Sequence, residues 1–343
     1  MTTTTTTRVV LPGLVEPAGL IVETAPIGSP GKGQLLVAVE ATGISFAEQS
    51  MRRGRYFGQP KFPFVPGYDL VGTVQEVGPG GDRSLIGKRV ATITKTGGWA
   101  SHVLVKARDS VLVPAGLDPA EVEAIVVNGI TAWQMLYRSA QVKPGQTILV
   151  HGASGAVGGI LIQLAHRAGI TVIGGASPRH HDALRAAGVE PIDYNAPDFA
   201  DQVRKLAPGG VDAVFDNVGG PMTHVSYSLL APGGALVCYS IIKAVEGTGG
   251  LMMPFMKALG RLLLWDVLPN GHRATFYNIW ADHTARPARF RRHLEEDLGH
   301  VFALLADGTL KPTIAARFPL AEASAAMTLA ESRTVGGKVI LLP

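Results

Sequence analysis

The sequence predicts an α/β protein that combines a barrel-like β domain with a doubly wound parallel-sheet domain. Three observations lead to this prediction. The chain has 343 residues, which exceeds the size at which one hydrophobic core stops growing, about 250–300 residues. Its first third consists of short runs rich in Val, Ile and Thr between Gly and Pro turns. From about Glu121 onward, apolar strands alternate with helical stretches, which is the pattern of βαβ units.

The β domain is predicted from four short strands near the start of the chain and one at its end. The four strands are Gln34–Ala41, Leu70–Val77, Arg89–Thr94 and Ala100–Val105. The last apolar run, Gly337–Leu342, is too short to found a domain, so we expect it to return and pair with these strands. The threonine run Thr2–Thr7 is expected to be a frayed, solvated terminus.

The second domain is predicted from five apolar strands, each joined to the next by a helix. The strands are Thr147–Val150, Thr171–Ile173, a short strand that ends at Tyr194, Val211–Phe215 and Ala235–Tyr239. The helices are Glu121–Tyr137, Ala156–Ala168, Arg179–Ala187, Phe199–Leu206 and residues 222–230. Strands as uniformly apolar as these suit a parallel sheet that is covered on both faces.

Composition excludes several classes of protein and site. The single cysteine, Cys238, excludes a disulfide framework, Cys-rich zinc sites and iron–sulfur clusters. The net charge of +4 is dispersed along the chain, so no nucleic-acid-binding arm is expected. The most apolar segment, Leu251–Leu268, is interrupted by a proline and charged residues, so no integral membrane span is expected. A cytoplasmic protein is predicted.

A glycine-rich turn between a strand and a helix is the strongest chemical signal. The segment Ala153–Gly158 reads A-x-G-x-x-G, and its position after a strand and before a helix is the context that a dinucleotide site requires. Small residues let the backbone approach a pyrophosphate, whose charge lies at the helix N-terminus. The alternative is a glycine-rich turn that binds no ligand.

The end of the second strand favours NADP(H) over NAD(H). An NAD site usually carries an acidic residue there, which binds the ribose 2′-hydroxyl. Here Ile173 is followed by Gly-Gly-Ala-Ser and then by Arg179 and His180. A carboxylate would repel a 2′-phosphate, whereas arginine offers a charged fork and Ser177 a hydroxyl donor. The alternative is that these side chains form an ordinary solvated first helical turn.

Several motifs along nearly the whole chain resemble one known family. They are PGYDLVGTVQEVG, NGITAW, HGASGAVG, IDY, FDNVGG and the C-terminal GGKVILLP. The sequence resembles the zinc-independent, quinone-oxidoreductase-like branch of the medium-chain dehydrogenase/reductases, which includes proteins of the VAT-1 type. The resemblance implies a GroES-like catalytic domain, residues 1–125 and 281–343, and a Rossmann NADP(H)-binding domain, residues 126–280. Family members with zinc carry Gly-His-Glu where this chain has Gly67-Tyr68-Asp69, so no metal is expected.

The resemblance also implies which residues would contact the cofactor. Ser154, Gly155, Ala156, Val157 and Gly158 would surround the pyrophosphate, and Ser177, Arg179 and His180 would bind the 2′-phosphate. The other implied contacts are Tyr194 at the adenosine phosphate, Asn217 at a ribose, and Asn128, Thr131 and Ser240 around the nicotinamide. Family members usually have lysine where His180 stands, so we expect Arg179 to be the main anchor.

The substrate side departs more from the family pattern. The family's usual Asn and Asp are replaced by Ser45 and Glu48, and a common tyrosine is replaced by Ser50. Tyr56 is therefore the first candidate to hydrogen-bond a substrate carbonyl, with Ser45 beside it. The alternative for Tyr56 is an ordinary surface residue. Glu48 and Arg52 have the spacing of a helical ion pair.

Together these features predict an NADPH-dependent reductase that transfers hydride to a quinone or to an activated enone or enoyl double bond. A small hydrophobic carbonyl or quinone compound is the expected substrate, and a homodimer is the expected assembly. The rival hypothesis is a VAT-1-like lipid-binding, adaptor or NADPH-sensing protein with little turnover.

One further segment, Gly247–Asn270, has apolar residues at helical spacing. Two interpretations remain open for it: a core or dimer-interface helix, or the mouth of a pocket for a bulky apolar acceptor in which Met252 and Phe255 contact the substrate.

Overall fold

The computed structural model describes residues 4–247 and 249–343. It divides into two units, Met1–Ile130 with Asp282–Pro343, and Thr131–Ala281. The boundaries expected from the sequence are residue 125 rather than 130 for the end of the first segment, and residue 281 rather than 282 for the start of the last. Both ends of the chain thus belong to one unit, and the middle of the chain forms the other.

The first unit is built mainly on β-strands. They are β1 (Thr5–Val10), β2 (Ile21–Pro26), β3 (Gln34–Ile44), β4 (Asp69–Val77), β5 (Arg89–Ile93), β6 (His102–Lys106), β7 (Ser110–Leu112), and, after the second unit, β14 (Ile314–Pro319) and β15 (Lys338–Leu342). Its helices are α1 (Phe46–Arg52), α2 (Pro119–Trp133), which extends into the second unit, α9 (Pro287–Ala306) and α10 (Ala323–Ser332).

Strand β3 organises this unit because three other strands pair with it. A seven-stranded sheet has the order β14-β15-β3-β4-β5-β7, and β6 also pairs with β3. The C-terminal strand β15 lies antiparallel to the end of β3, as the sequence predicts. Thr2 and Thr3 lie outside the described residues, and the described part of the threonine run differs from the prediction, because Thr5 to Thr7 belong to β1 and pair with β2. Their β-branched side chains suit a strand, and Thr6 is buried.

The described residues of the second unit form six strands with helices between them. The strands are β8 (Thr147–His151), β9 (Thr171–Ala176), β10 (Glu190–Asp193), β11 (Val211–Asp216), β12 (Leu230–Cys238) and β13 (Arg273–Phe276). The helices are α3 (Ala156–Arg167), α4 (His181–Ala186), α5 (Phe199–Leu206), α6 (Pro221–Ser228), α7 (Ile242–Glu246) and α8 (Met252–Asp266).

These strands form one sheet with the order β10-β9-β8-β11-β12-β13, and every neighbouring pair is parallel. Within this sheet, the chain starts at the central strand β8 and continues outward through β9 to β10. It then returns to β11 on the other side of β8. The strand order therefore reverses between β8 and β11, and this reversal is where parallel α/β sheets bind their ligands, outside the carboxyl ends of the strands.

A buried ion cluster connects distant parts of the first unit. The Lys338 ammonium, at the start of β15, lies 2.9 Å from an Asp69 carboxylate oxygen and 2.7 Å from Glu123 Oε1. All three side chains are at most 1% exposed. The Val127 N–H also donates to Asp69. One cation faces two carboxylates, and burial together with the Asp69 charge raises the pKa of Glu123 well above its usual value.

We expect the replacement Lys338→Met to destabilise the protein by about 3–5 kcal/mol, because it leaves two buried carboxylates without their cation. Glu123→Gln should cost much less, since it removes the excess negative charge. Because the pKa of Glu123 is raised in the fold, the protonated carboxyl is favoured, and wild-type stability should decline as the pH rises above 4.5. Glu123→Gln should lack that component of the decline. Urea unfolding at several pH values measures the free energy of unfolding of the wild type and of both variants. Equal losses of stability in Lys338→Met and Glu123→Gln would contradict this account.

Candidate functional site

Eleven of the thirteen predicted cofactor residues lie along one edge of the parallel sheet. Each group of them follows the carboxyl end of a strand, and parallel strands place all their carboxyl ends together. Ser154 to Gly158 follow β8, Ser177, Arg179 and His180 follow β9, Tyr194 follows β10, Asn217 follows β11 and Ser240 follows β12. The sheet thus gathers at one edge eleven residues that are dispersed over residues 154–240 of the sequence.

The turn after β8 is closely packed against the turn after β11. Gly152 has φ +66°, a conformation that favours glycine. A Cβ added to it would lie 2.4 Å from Asn217 Nδ2, so the Asn217 amide lies directly against this turn. A Cβ on Gly158 would lie 2.4 Å from the Gly152 carbonyl oxygen. Both glycines are therefore required by the packing of the turn itself.

Helix α3 presents its N-terminus at this turn. Gly155 is the N-cap residue, and no side chain caps the helix there. The first N–H groups of a helix have no partner within the helix, and together with the helix dipole they attract a negative charge. The twelve-residue helix and the small residues before it fit the diphosphate of a dinucleotide.

The segment after β9 is positively charged. Ser177 is partly buried, and Arg179 is exposed. Arg179 Nε donates to His180 Nε2 at 3.2 Å, so His180 accepts this hydrogen bond as a neutral ring. Burial, followed by the charges of Arg179 and His181, lowers the pKa of His180 below its usual 6.5. Strand β9 itself ends in Gly174-Gly175-Ala176 without a carboxylate, which fits a 2′-phosphate.

Asp216, which the sequence analysis did not select, holds the turn after β11. It is fully buried, and its Oδ1 accepts from the N–H groups of Val218 at 2.8 Å and Gly219 at 3.1 Å. The Asn217 carbonyl accepts from the Ile242 N–H at 3.1 Å. Asn217 is therefore fixed from both sides. An acidic residue at a strand end followed by Asn-x-Gly-Gly is the signal that could have identified it, because Asp often bonds the backbone two residues on.

The remaining predicted cofactor residues have varied surroundings. Tyr194 is 43% exposed, and Ser240 is partly buried. Asn128 and Thr131 lie on α2 rather than in a loop after a strand. The Asn128 amide donates to the Ala124 carbonyl of its own helix at 3.1 Å. Asn128 belongs to the first unit and Thr131 begins the second.

In the first unit, both predicted catalytic residues belong to one hydrogen-bonded group. Ser45 is the N-cap of α1, and its hydroxyl and backbone N–H both donate to the Glu48 carboxylate, which forms a capping box. The same carboxylate accepts from the Tyr68 N–H at 2.6 Å. The Tyr56 and Tyr68 hydroxyls lie 2.9 Å apart. Ser45 and Tyr56 are thus linked through Glu48 and Tyr68.

Burial keeps Tyr56 and Glu48 protonated to higher pH than usual. It is the main cause that raises the pKa of Tyr56, and the nearby Glu48 charge adds to this effect. Burial also raises the pKa of Glu48, although the Ser45 hydroxyl opposes the change. At neutral pH Tyr56 is therefore an O–H donor. The Tyr56–Tyr68 pair can donate a hydrogen bond to a carbonyl oxygen and can carry a proton.

Two residues of this group were missed by the sequence analysis. Tyr68 was noted only because it replaces a zinc-binding histidine. Lys95 was not noted at all: it has φ +67°, and its N–H donates to the Tyr68 carbonyl at 3.1 Å. Its ammonium lies 5.7 Å from the centre of the Tyr56 ring, within the range of cation–π attraction. Non-glycine residues with positive φ concentrate at functional sites, but the sequence alone does not reveal φ.

The predicted ion pair between Glu48 and Arg52 is wrong. The Arg52 guanidinium instead binds both oxygens of Glu331, at 2.8 and 2.7 Å, and it also donates to the Val15 carbonyl. The Glu48 carboxylate is already engaged by the capping box and by Tyr68. A planar guanidinium matches two carboxylate oxygens at once, so Glu331 is the better partner.

The donor residues do not fit zinc. Cys238 is the only cysteine in the chain; it is buried at the end of β12, and burial raises the pKa of its thiol well above the usual value, which opposes the thiolate that zinc binds. Within residues 4–247 and 249–343, no three His, Cys, Asp or Glu side chains are grouped so that they could hold a metal ion. In the same part of the chain, every helix is too short or too polar to cross a membrane.

Comparison with known proteins places this architecture in a family. Residues 31–115 match the family model described as alcohol dehydrogenase GroES-like domain, and residues 188–341 match the one described as zinc-binding dehydrogenase. The human synaptic vesicle membrane protein VAT-1 homolog is 33% identical over 324 residues, which cover 92% of this chain and 80% of that protein. The 2-haloacrylate reductase of a Burkholderia species is 30% identical over 344 residues, which cover 95% and 96%.

Solved structures agree with the sequence relatives. The Escherichia coli quinone oxidoreductase, solved in complex with NADPH, has a TM-score of 0.85 against this chain. It is 25% identical, and the match covers 98% of this chain and 100% of that chain. The GroES-like and Rossmann-type architecture predicted from sequence is therefore confirmed. The chain belongs to the zinc-independent, quinone-oxidoreductase-like and VAT-1-like branch of the medium-chain dehydrogenase/reductases.

Proposed function

We propose that this protein is an NADPH-dependent reductase that transfers hydride to a quinone or to an activated enone or enoyl double bond. The observation that carries the proposal is the convergence of the glycine turn, the cationic segment after β9 and Asn217 on the carboxyl edge of one parallel sheet. Two relatives support it, since one is named 2-haloacrylate reductase and another is a quinone oxidoreductase solved with NADPH.

In this proposal the carboxyl edge of the sheet holds the cofactor. The N-terminus of α3 and residues Ser154 to Gly158 bind the diphosphate, while Ser177, Arg179 and His180 bind the 2′-phosphate. Tyr194 and Asn217 border the adenosine and ribose groups, and Asn128, Thr131 and Ser240 border the nicotinamide. NADPH, when bound, supplies the hydride.

The tyrosine pair is proposed to act on the acceptor. When hydride reaches the electrophilic carbon, negative charge develops on the conjugated oxygen of the acceptor. The Tyr56 O–H donates a hydrogen bond to this oxygen, and such donors lower the barrier because they stabilise the charge as it forms. The raised pKa of Tyr56 keeps its proton in place until the charge appears. Tyr56 or water then delivers the proton that completes the reduction, and the Tyr68 hydroxyl, 2.9 Å away, can restore it.

A second candidate function is considered because residues on the predicted substrate side depart from the family pattern. Ser50 replaces the family's tyrosine, and its hydroxyl donates to the Phe46 carbonyl of its own helix at 2.7 Å. The Ser50 hydroxyl hydrogen is therefore engaged within the helix rather than directed to a substrate. The second candidate is a binding protein that senses NADPH or contacts lipid. The relatives named synaptic vesicle membrane protein support this candidate. A panel of quinones and enones with NADPH separates the two functions, because the binding protein would bind NADPH without oxidising it.

The first prediction from this proposed function concerns cofactor choice. Arg179→Ala should weaken NADPH binding by about 1.5–3 kcal/mol, the usual value of a hydrogen bond to a charged group, and should leave NADH binding unchanged. Arg185→Ala is the matched control, since Arg185 is also exposed in this region and its guanidinium pairs with Asp182. Titration calorimetry measures each affinity. Equal wild-type affinities for NADH and NADPH would overturn the cofactor assignment.

The second prediction concerns pH. The free His180 ring has a pKa below 6.5, and a bound phosphate would raise it, so NADP⁺ binding should take up a proton. The contribution of His180 to NADP⁺ affinity should be largest at low pH, where the ring is protonated. It should disappear as the pH rises through the pKa that His180 has in the complex, which is higher than that of the free protein. His180→Gln should therefore weaken NADP⁺ binding at pH 5.5 and change little at pH 8. A loss of the same size at both pH values would show that His180 acts without its charge.

The third prediction concerns the tyrosine pair. Tyr56→Phe should lower kcat at least ~100-fold, the lower range for removal of a general acid or oxyanion donor, with NADPH affinity preserved. Tyr68→Phe should have a smaller effect, because it removes the partner of that donor rather than the donor. Tyr227→Phe, whose hydroxyl accepts from Asn270, serves as the control. Wild-type kcat in Tyr56→Phe would exclude Tyr56 from catalysis.

A further inference from the structure

The ammonium of Lys95 lies beside the phenol that is proposed to act on the acceptor. Lys95 Nζ is 5.7 Å from the centre of the Tyr56 ring, and a Cβ added to Gly58 would lie 3.6 Å from the same nitrogen. Lys95 is partly buried. One small molecule whose carbonyl oxygen accepts from the Tyr56 hydroxyl can therefore also reach this ammonium.

The backbone fixes the position of Lys95 relative to the tyrosine pair. The N–H groups of Thr94 and Lys95 both donate to the Tyr68 carbonyl, at 2.8 and 3.1 Å. The Thr94 hydroxyl donates to the Gly67 carbonyl at 2.7 Å. The Tyr68 hydroxyl in turn lies 2.9 Å from that of Tyr56. The turn and the two phenols are thus connected by hydrogen bonds, and the ammonium is attached to the same framework.

The conformation of the turn does not account for a lysine. Lys95 has a φ of +67°, which lies in the left-handed region that glycine adopts without strain and other residues adopt rarely. Lysine is therefore an unfavourable residue for this turn. The feature that needs a role is the charged side chain.

The charge of Lys95 has no counter-ion in the structure. The segments that carry this lysine and the tyrosine pair, residues 83–108 and 49–68, contain no Asp or Glu. Among the residues that the structure describes, no carboxylate pairs with the Lys95 ammonium. Arg52 differs in this respect, because its guanidinium is paired with Glu331. The Lys95 charge is thus available to an anionic ligand.

The acid closest in the hydrogen-bonded group, Glu48, opposes such a ligand only in part. Its carboxylate is fully engaged within the protein by Ser45 and by the Tyr68 N–H. Burial is the main cause that raises the pKa of Glu48, and this lessens the negative charge that an anion would meet. An anion beside Tyr56 therefore faces an ammonium and a neutral O–H donor.

We propose that the acceptor itself is an anion, in which a carboxylate binds the Lys95 ammonium while the conjugated carbonyl oxygen binds Tyr56. The simplest case is an enone acid. The proposal rests on the proposed reductase function, and in it Lys95 determines specificity. Hydride from NADPH forms the new bond at the carbon β to the ketone, the electron pair of the double bond moves toward the ketone oxygen, and a proton adds to the α carbon. The carboxylate is unchanged.

The segment Gly247–Asn270 concerns a different property of the acceptor, its apolar part. Its proposed flexible entry includes Thr248, which lies outside the described residues. Phe255 packs edge-on against Phe276 of β13, with ring centres 5.3 Å apart, so its ring contacts the sheet of its own unit. Three apolar side chains lie on one face of α8 and are 51–60% exposed: Met252, Met256 and Leu263. A pocket role for Met252 stays a prediction.

A matched pair of acceptors tests the charge. The enone acid 4-oxo-2-pentenoate and its methyl ester share one double bond, and only the acid is an anion. Lys95→Met should lower kcat/KM for the acid about 10- to 100-fold, the range for a lost hydrogen bond to a charged group, and should lower that for the ester much less. Lys95→Arg, which keeps the charge, should retain most of the activity with the acid.

Salt and a second lysine provide the controls. At saturating NADPH, wild-type kcat/KM for the acid should fall as the salt concentration rises, because ions screen the attraction, and Lys95→Met should show little of this dependence. Lys61→Met removes an exposed lysine of the loop that carries Tyr56 and should change neither acceptor. Equal losses for acid and ester in Lys95→Met would show that Lys95 acts through the Tyr56 ring. A loss of NADPH affinity would show that it binds the cofactor. Either result overturns the proposal.

Binding of the reduced product separates this proposal from the reductase function. The product, 4-oxopentanoate, keeps the ketone and the carboxylate but has no double bond to reduce. Calorimetry should show that Lys95→Met binds it at least tenfold more weakly than wild type in the presence of NADP⁺. If acceptors are reduced but both proteins bind the product equally, the anion proposal is wrong and the reductase function stands. If no acceptor is reduced while binding still depends on Lys95, the anion site stands and the reductase function is wrong.

Discussion

The buried ion pairs of the Lys338 ammonium are the interaction on which the first unit depends. It joins three parts of the chain that are far apart in sequence: β4 through Asp69, α2 through Glu123, and the C-terminal strand β15 that carries Lys338 itself. Asp69 is adjacent to Tyr68, so the same cluster holds the backbone from which the Tyr68 ring reaches Tyr56. Two carboxylates without this cation would be expensive to bury, and the tyrosine site would lose its support.

The cofactor unit depends on a different constraint, the reversal of strand order beside β8. The parallel sheet brings the loops after five strands to one edge, and the packing of Asn217 against Gly152 joins the loops on the two sides of the reversal. Asp216 makes that contact possible because it is buried and engages two backbone N–H groups of its own turn. In the proposed cofactor site, a helix N-terminus and an exposed arginine would supply the positive potential that a diphosphate and a 2′-phosphate require.

How much could be predicted from sequence differs between these two sites. The sheet, the glycine turn and the residues after each strand follow from local patterns, since strand, turn and helix signals are short in range. The return of β15 to β3 also follows, because a lone apolar strand must pair. The ion cluster could not be foreseen, because no pattern relates Lys338 to Asp69 across the chain. For the same reason Glu48 was paired with Arg52, its neighbour on the helix, although Glu331 binds Arg52. The exposure of one face of α8 is likewise a tertiary property: the same periodicity would describe a core helix.

The measurement that tests the central claim most directly is a single-turnover reaction of the wild-type protein with NADPH deuterated at C4 and an enone or quinone acceptor. The account predicts that NADPH is oxidised in proportion to the acceptor reduced, and that the deuterium of an enone reaction is found on the carbon β to the carbonyl. NADH should react more weakly under the same conditions. If NADPH binds tightly and is not oxidised by any acceptor of either class, the protein is a binding protein and the reductase account is wrong.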